Sequence, residues 1–307
     1  MYTAAVFANA RAFVYRNARP LDLARWQRHF EGGSAEAVLH ALAYYQNADG
    51  GFGHALEADS WNPHSTPIQT GAAVELFQEL GWTDPTHPVA QGLLRYLASG
   101  ADFDGRTWAN TVPTNNDYPH APWWRSDSES ACHTDDNPTA MLAGFSLRFA
   151  APDSALGRLA ERLTRAAADT LLSGPPLNDM HTTGCYLTLY AYCAQAGTDC
   201  VDLAALRDRL RAQVRGSVTQ DTALWEDGYV CRPSMYLNTP DSPFYPDCAE
   251  LALYECDFLR RTQQPDGSWP IPWRWTDYPE QWAVSRQWWK GKTAVDNTLY
   301  LRNFDRL

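Results

Sequence analysis

Asp135 and Asp136 are adjacent acids at the start of a helix opened by Asn137-Pro138. Glu57 and Asp59 form a second acidic pair, two residues apart in a loop that also carries His54, Trp61 and His64. Acid, imidazole and indole in one loop are typical of an active-site rim, although a solvated surface loop has the same composition. One acid from each pair, facing across a cavity, would serve as general acid and base. Such a pair cleaves a glycosidic bond, or adds a proton to an alkene and removes one from it. Asp136 or Asn137 is equally placed to cap the helix behind Pro138 by accepting its first N–H groups.

Two further residue sets carry chemistry. His181 and Cys185 lie four apart, so on a helix they share a face and offer a nitrogen and a sulfur; His133 and Asp135 could complete a zinc site. Scattered Cys and His in a helical core are more often packed than metal-bound, so the expectation is a site with no metal and no other cofactor. The aromatic residues are the second set. The chain has 13 Trp and 15 Tyr, with Tyr118, Trp123 and Trp124 in one long loop and Trp269, Trp273, Trp275, Trp282, Trp288 and Trp289 near the C-terminus. Ring faces stabilise cations and also stack on sugars, and the interleaved Arg125, Arg274, Asn115, Asn116, Asp117 and Asp277 suit hydroxyl groups. Packing between helices accounts for part of this surplus. The candidate catalytic residues are therefore Asp135, Asp136, Glu57 and Asp59. His54, Trp61, Tyr118, Trp123, Trp124, His133, Trp273 and Trp275 are the candidate substrate-binding residues.

These side chains must be positioned by helices. Apolar residues recur at helical spacing over 3–17 and 34–46, with Pro20 and Gly32-Gly33 as stops between them. Thr66-Pro67 opens the next helix, and others are expected over 87–99, 137–149, 153–172, 182–196, 202–215, 246–263 and 293–303. The segment 100–132 is a polar loop too long for a mere connector, and 216–244 is irregular. This makes roughly eleven or twelve helices and no strand pattern, an all-α chain forming one domain over 1–307. A glycine turn recurs within it. Gln46-x-x-Asp49-Gly50-Gly51-Phe52 is matched by Gln263-x-x-Asp266-Gly267-Ser268-Trp269, with weaker echoes at 104–108 and 225–229. Recurrence at intervals of tens of residues marks a repeat architecture in which no unit buries its apolar face alone.

Composition narrows the partners. The formal charge of −11 comes with no basic face, which argues against nucleic acid. There is no run of about 18 apolar residues and no signal-like N-terminus, so a cytoplasmic protein without a transmembrane segment is expected. Seven Cys, an odd number without CxxC spacing, fit reduced thiols better than a disulfide framework. The expected partner is a small molecule, an isoprenoid or a sugar.

The Q-x-x-D-G-[GS]-[FW] element resembles the QW motif of squalene and other triterpene cyclases. The run from Gln46 through Thr66-Pro67-Ile68-Gln69-Thr70-Gly71 is similar to the corresponding repeat of protein prenyltransferase β subunits. The resemblance implies an (α/α)6 toroid, with inner helices around a central cavity and outer helices around them. Asp135-Asp136-Asn137-Pro138-Thr139-Ala140 is similar in position to the D-x-D-D-T-A motif of class II terpene cyclases, which would imply a protonating aspartic acid. Aligned on Thr139-Ala140, however, the proton-donor position falls on Asn137, whose amide cannot donate that proton. The zinc pattern of the prenyltransferases is not met, because Asp247 and Cys248 are adjacent and no His follows His181. The resemblance thus implies a terpenoid-cyclase-like enzyme performing acid-initiated isomerisation or cyclisation of an apolar substrate. Asp135 or Asp136 would be the acid, Glu57 or Asp59 the base, and Trp61, Trp123 and Trp124 the walls. A carbohydrate-active toroid, hydrolase or lyase, using the same carboxylates is the alternative, and a non-catalytic binding or scaffold protein is the third.

Overall fold

Proline starts helices in this chain more often than it ends them. In the computed structural model, which describes residues 2–126 and 132–307, Pro20 opens helix α2 (Pro20–Phe30), Pro67 opens α4 (Pro67–Glu79) and Pro88 opens α5 (Pro88–Ser99). Each proline stands where its missing N–H would have no intrahelical partner. Pro20, expected as a stop, is therefore a start, and α2 was missed for that reason. The 25-residue helix α11 (Pro279–Asn303) also begins at a proline and takes in half of the Trp-rich segment expected to precede it.

Among the described residues the chain is all-α, with eleven α-helices, short 3-10 turns and only isolated β-bridges. The remaining helices are α1 (Tyr2–Asn17), α3 (Ala35–Leu42), α6 (Thr139–Phe149), α7 (Ala155–Ser173), α8 (Met180–Ala196), α9 (Leu203–Ser217) and α10 (Ala249–Thr262). No helix among the described residues is long and apolar enough to cross a membrane. Packing divides the chain into two compact units, 1–42 with 214–307, and 43–213.

In the unit 43–213, α6 is the central helix. Nine of its 11 residues are buried, so it is apolar nearly all round, as a helix enclosed by others must be. Small residues set its approach to its neighbours: a Cβ on Gly144 would lie 3.0 Å from the Leu189 Cα of α8, and one on Gly71 of α4 would lie 3.0 Å from the Met141 sulfur of α6. Phe145 and Phe149 stack at 4.5 Å, and Phe77 of α4 and Tyr192 of α8 meet Phe145 edge-on at 5.5 and 5.8 Å. The Tyr192 hydroxyl donates to the Val74 carbonyl at 3.1 Å, so the ring that fills the core also satisfies its polar end. In the other unit, α1 packs on α11 and α2, and Gly291 of α11 allows the Ala18 backbone within 3.1 Å of where a Cβ would stand.

The two full glycine turns do the same work, one in each unit. Gln46 donates its amide to the Gly50 carbonyl at 2.9 Å and to the Val89 carbonyl of α5 at 3.0 Å. Gln263 donates to the Gly267 carbonyl at 3.2 Å and to the Val6 carbonyl of α1 at 2.9 Å. Gly50 (φ +98°) and Gly267 (φ +94°) press against the carbonyls of Gly92 and Asn9, each three residues beyond the helix carbonyl that the glutamine holds. Asp49 and Asp266 accept the N–H groups of Gly51 and Ser268, both at 2.9 Å. The element is therefore a clamp in which a side-chain amide and a side-chain-free turn grip one helix. The echo at 104–108 is partial: Gly105 has φ +95° and Asp104 accepts two backbone N–H groups, but nothing lies within 4 Å of its missing Cβ. The segment 225–229 is not such a turn, because Gly228 takes no positive φ.

Candidate functional site

All four acids proposed from sequence lie in the unit 43–213. Loop residues 53–65 pair with 113–126 through backbone bonds: Trp61 N–H donates to the Pro119 carbonyl at 2.9 Å, and Ala121 N–H to the Asp59 carbonyl at 2.8 Å. Buried amides lie beneath them. Asn62 donates to Thr114 Oγ1 and Asn115 Oδ1, both at 2.9 Å, and accepts from the His64 N–H at 3.0 Å. Gln69 donates to the Asn62 carbonyl at 3.0 Å. His120 is also buried, and Asp59 is only 2% exposed. A carboxyl at that depth requires polar company. Glu57, half-buried, accepts the Asp59 N–H at 3.3 Å.

The other sequence candidates in these loops sit around this polar layer. Tyr118 holds His64 through a 3.1 Å contact between its hydroxyl and Nε2. His54 contacts Asn47 Oδ1 at 2.9 Å through Nε2, and both it and Ala55 have positive φ values, +58° and +59°, which non-glycine residues rarely take. Trp123 is 46% exposed, whereas Trp61 and Trp124 are half-buried. Residues 127–131 of the long loop lie outside the described residues.

Asp135 and Asp136 have separated roles. One Asp135 oxygen accepts the Asn137 N–H at 2.8 Å and the Asn110 amide at 3.2 Å, and the other accepts the Thr182 hydroxyl at 3.0 Å. Asp135 thus braces its own loop to α8. Asp136 accepts the Tyr186 hydroxyl of α8, and its second oxygen has no donor among the described residues. Neither Asp136 nor Asn137 caps α6: the cap position is Pro138 itself, with no side-chain hydrogen bond. The Asn137 side chain instead faces the Cys185 thiol at 3.4 Å.

Cys185 reports on its surroundings. Burial, followed by the negative field of Glu75, Asp135, Asp179 and Asp136, pushes its thiol well above the ordinary cysteine value. The Tyr186 hydroxyl is likewise raised, first by burial and then by Asp136. Four carboxylates, from α4, the entry to α6 and the start of α8, thus contribute to the field at one sulfur. Glu75, Asp179, Thr182 and Tyr186 were not anticipated from sequence, although Asp179, Thr182 and Tyr186 stand at i, i+3 and i+7 and share one helix face. His181, by contrast, is exposed while Cys185 is buried. Among the described residues no three His, Cys, Asp or Glu side chains converge as metal ligands. His133 is held by Thr107 Oγ1 at 3.1 Å, with Asp104 at 3.7 Å.

Trp273 and Trp275 belong to the other unit. Trp275 is buried against Trp282 and Tyr278, at 5.6 and 6.4 Å between ring centres. Trp273 is half-buried and lines a cleft described below.

No family model matches the chain, and no curated protein matches it. A crystal structure of a protein from Actinoplanes is similar over 98% of this chain and 99% of that one, with a TM-score of 0.54 and 16% identity. At that identity the likeness is one of fold.

Proposed function

We propose that the chain is an (α/α)6 toroid enzyme that acts on a hydroxyl-rich, sugar-like substrate by carboxylate acid–base chemistry, as a glycoside hydrolase or polysaccharide lyase. The observation that carries this is the company kept by Asp136. It is a half-buried carboxylate with one oxygen held by Tyr186 and the other without a donor, in a group with Glu75, Asp135 and Asp179. Hydroxyls, amides and several carboxylates recognise and cleave hydroxylated substrates, whereas protonating a hydrocarbon needs one acid in an apolar chamber. Asp136 is the catalytic group in this scheme and Glu75 the opposing carboxylate. Asp135 and Tyr186 are positioning residues, and the buried layer holding Asp59 and Asn62 stiffens the loops beside them.

The terpenoid-cyclase-like alternative is favoured by a different observation, the clamp shared by Gln46-Gly50 and Gln263-Gly267, whose sequence is similar to the QW motif. One experiment separates the two. The purified protein is screened by thermal shift against polyprenyl alcohols and diphosphates and against neutral and acidic oligosaccharides, and saccharide cleavage is followed by new reducing ends or by ultraviolet absorbance of unsaturated products. Saccharide cleavage abolished by Asp136→Asn supports the proposal. A response to isoprenoids alone refutes it in favour of the cyclase-like chemistry.

A further inference from the structure

A cleft of about 460 Å³ lies wholly within the unit 1–42 with 214–307, between residues 264–274 and one face of α11. Trp282, Arg286 and Lys290 stand at i, i+4 and i+8 of that helix and so form one stripe. Pro270, Ile271, Trp273 and Arg274 face them from the preceding segment. The walls are fixed: Trp273 is held edge-on between Tyr229 and Trp289, each 5.1 Å away, and Trp282 packs on Trp275. In a chain of formal charge −11, the cleft collects three cations and no acidic side chain among its lining residues. Lys290 is committed to Gln264 at 2.9 Å and Asp266 at 3.2 Å. Arg274 and Arg286 are exposed and make no hydrogen bond or ion pair among the described residues.

We infer that this cleft is a binding subsite for an anionic sugar, a pyranose bearing a carboxylate. Two uncommitted guanidinium forks suit a planar carboxylate, which accepts parallel hydrogen bonds from such a fork. Trp273 supplies an indole face against which a sugar ring stacks, and the volume falls within the ~300–1,000 Å³ of ordinary ligand sites. The site does not depend on the chemistry at Asp136, and binding is its only required property.

The test is calorimetric titration of the full chain at low salt with glucuronate and galacturonate, as mono- and disaccharides, alongside glucose and inorganic phosphate. The acidic sugars are expected to bind and glucose not to. Arg274→Gln and Arg286→Gln should each weaken binding about tenfold, the loss of one charge-assisted hydrogen-bonding partner. Trp273→Ala should weaken it by a similar factor, and the affinity should fall with added salt. Neither arginine makes a hydrogen bond or ion pair among the described residues, so their variants should melt with the parent protein, keeping folding and binding separable. Glucose binding as well as the uronates, uronate binding that survives both arginine substitutions, no uronate binding at all, or inorganic phosphate binding equally well and insensitive to Trp273→Ala would each overturn the inference.

Discussion

Adding one methyl group at Gly50 tests the clamp that repeats through this chain. In Gly50→Ala the new Cβ would stand 1.9 Å from the Gly92 carbonyl oxygen and 2.5 Å from its carbon, in a backbone with φ +98°. Restoring ordinary contact at about 3.4 Å requires the turn and α5 to part by roughly 1.5 Å. That displacement breaks the 3.0 Å bond from Gln46 to Val89. The positive φ alone costs about 1–3 kcal/mol for alanine. Overpacking adds about 1–3 kcal/mol and the lost hydrogen bond about 1 kcal/mol. A total of about 3–7 kcal/mol is expected. Gly105→Ala is the control, since Gly105 has φ +95° but nothing within 4 Å of its missing Cβ; only the strain of about 1–3 kcal/mol applies there. Gly267→Ala is the replicate in the other unit, with its Cβ 2.1 Å from the Asn9 oxygen. Urea unfolding followed by circular dichroism, with hydrogen exchange of α5 and α1 amides to localise the loss, gives the comparison. If Gly50→Ala and Gly267→Ala lose no more than Gly105→Ala, the turns do not grip those helices as described.

Three other outcomes follow from named contacts. Glu255 is fully buried beside Arg232 at 3.4 Å and accepts from Ser234 N–H and Oγ at 2.9 and 2.6 Å; burial raises its carboxyl above the ordinary glutamate value despite the arginine. A raised folded-state value means that the folded chain holds the proton longer, so stability should fall as pH rises from the unfolded value near 4.5 through the folded value. Glu255→Gln should remove that slope in pH-dependent urea midpoints, and an unchanged slope would refute the assignment. Thr182→Val removes the hydroxyl shared by Asp135 and Asp179 at 3.0 and 2.9 Å, and should cost about 1–2 kcal/mol while raising hydrogen exchange around 135–137. All seven Cys are free and buried, and burial pushes Cys193, Cys248 and Cys256 up to about 12. Ellman's reagent at pH 8 should therefore label no thiol rapidly in the native protein and all seven in urea; a fast-reacting native thiol would contradict the burial pattern.

The helices that sequence reading located best are those whose ends carry local chemistry. Thr66 caps α4 by accepting the Gln69 N–H at 3.1 Å, and Gly100 and Gly197 close α5 and α8 with positive φ. Each of these signals acts within a few residues and is visible without a partner. Pro20 misled because a proline between two apolar-periodic stretches is compatible with either an end or a start; α2 shows the start, with buried Asp22 held by Arg19 and Arg25. The first half of α11 was missed for a related reason. Trp282, Trp288 and Trp289 with Arg286 and Lys290 dilute the apolar period, and the helix is held by packing rather than by a clean stripe.

The site was legible only as far as its residues were local. Adjacent in sequence, Asp135 and Asp136 are interchangeable candidates for the acid, but adjacency sends successive side chains in different directions where the chain is irregular. Asp135 turns back to Asn137 N–H and across to Thr182, while Asp136 goes to Tyr186. What distinguishes the two acids is therefore a helix forty-odd residues away, and nothing in the run from Cys132 to Ala140 encodes it. The polar face of α8 could have been found, since Asp179, Thr182 and Tyr186 fall at helical spacing beside Cys185. Once α8 is in place, the free oxygen of Asp136 becomes the distinctive feature of the site. Glu75, Asp135 and Asp179 are exposed whereas Asp136 is half-buried, with a tyrosine hydroxyl on one oxygen, and so it is the first residue to change in any assay of activity.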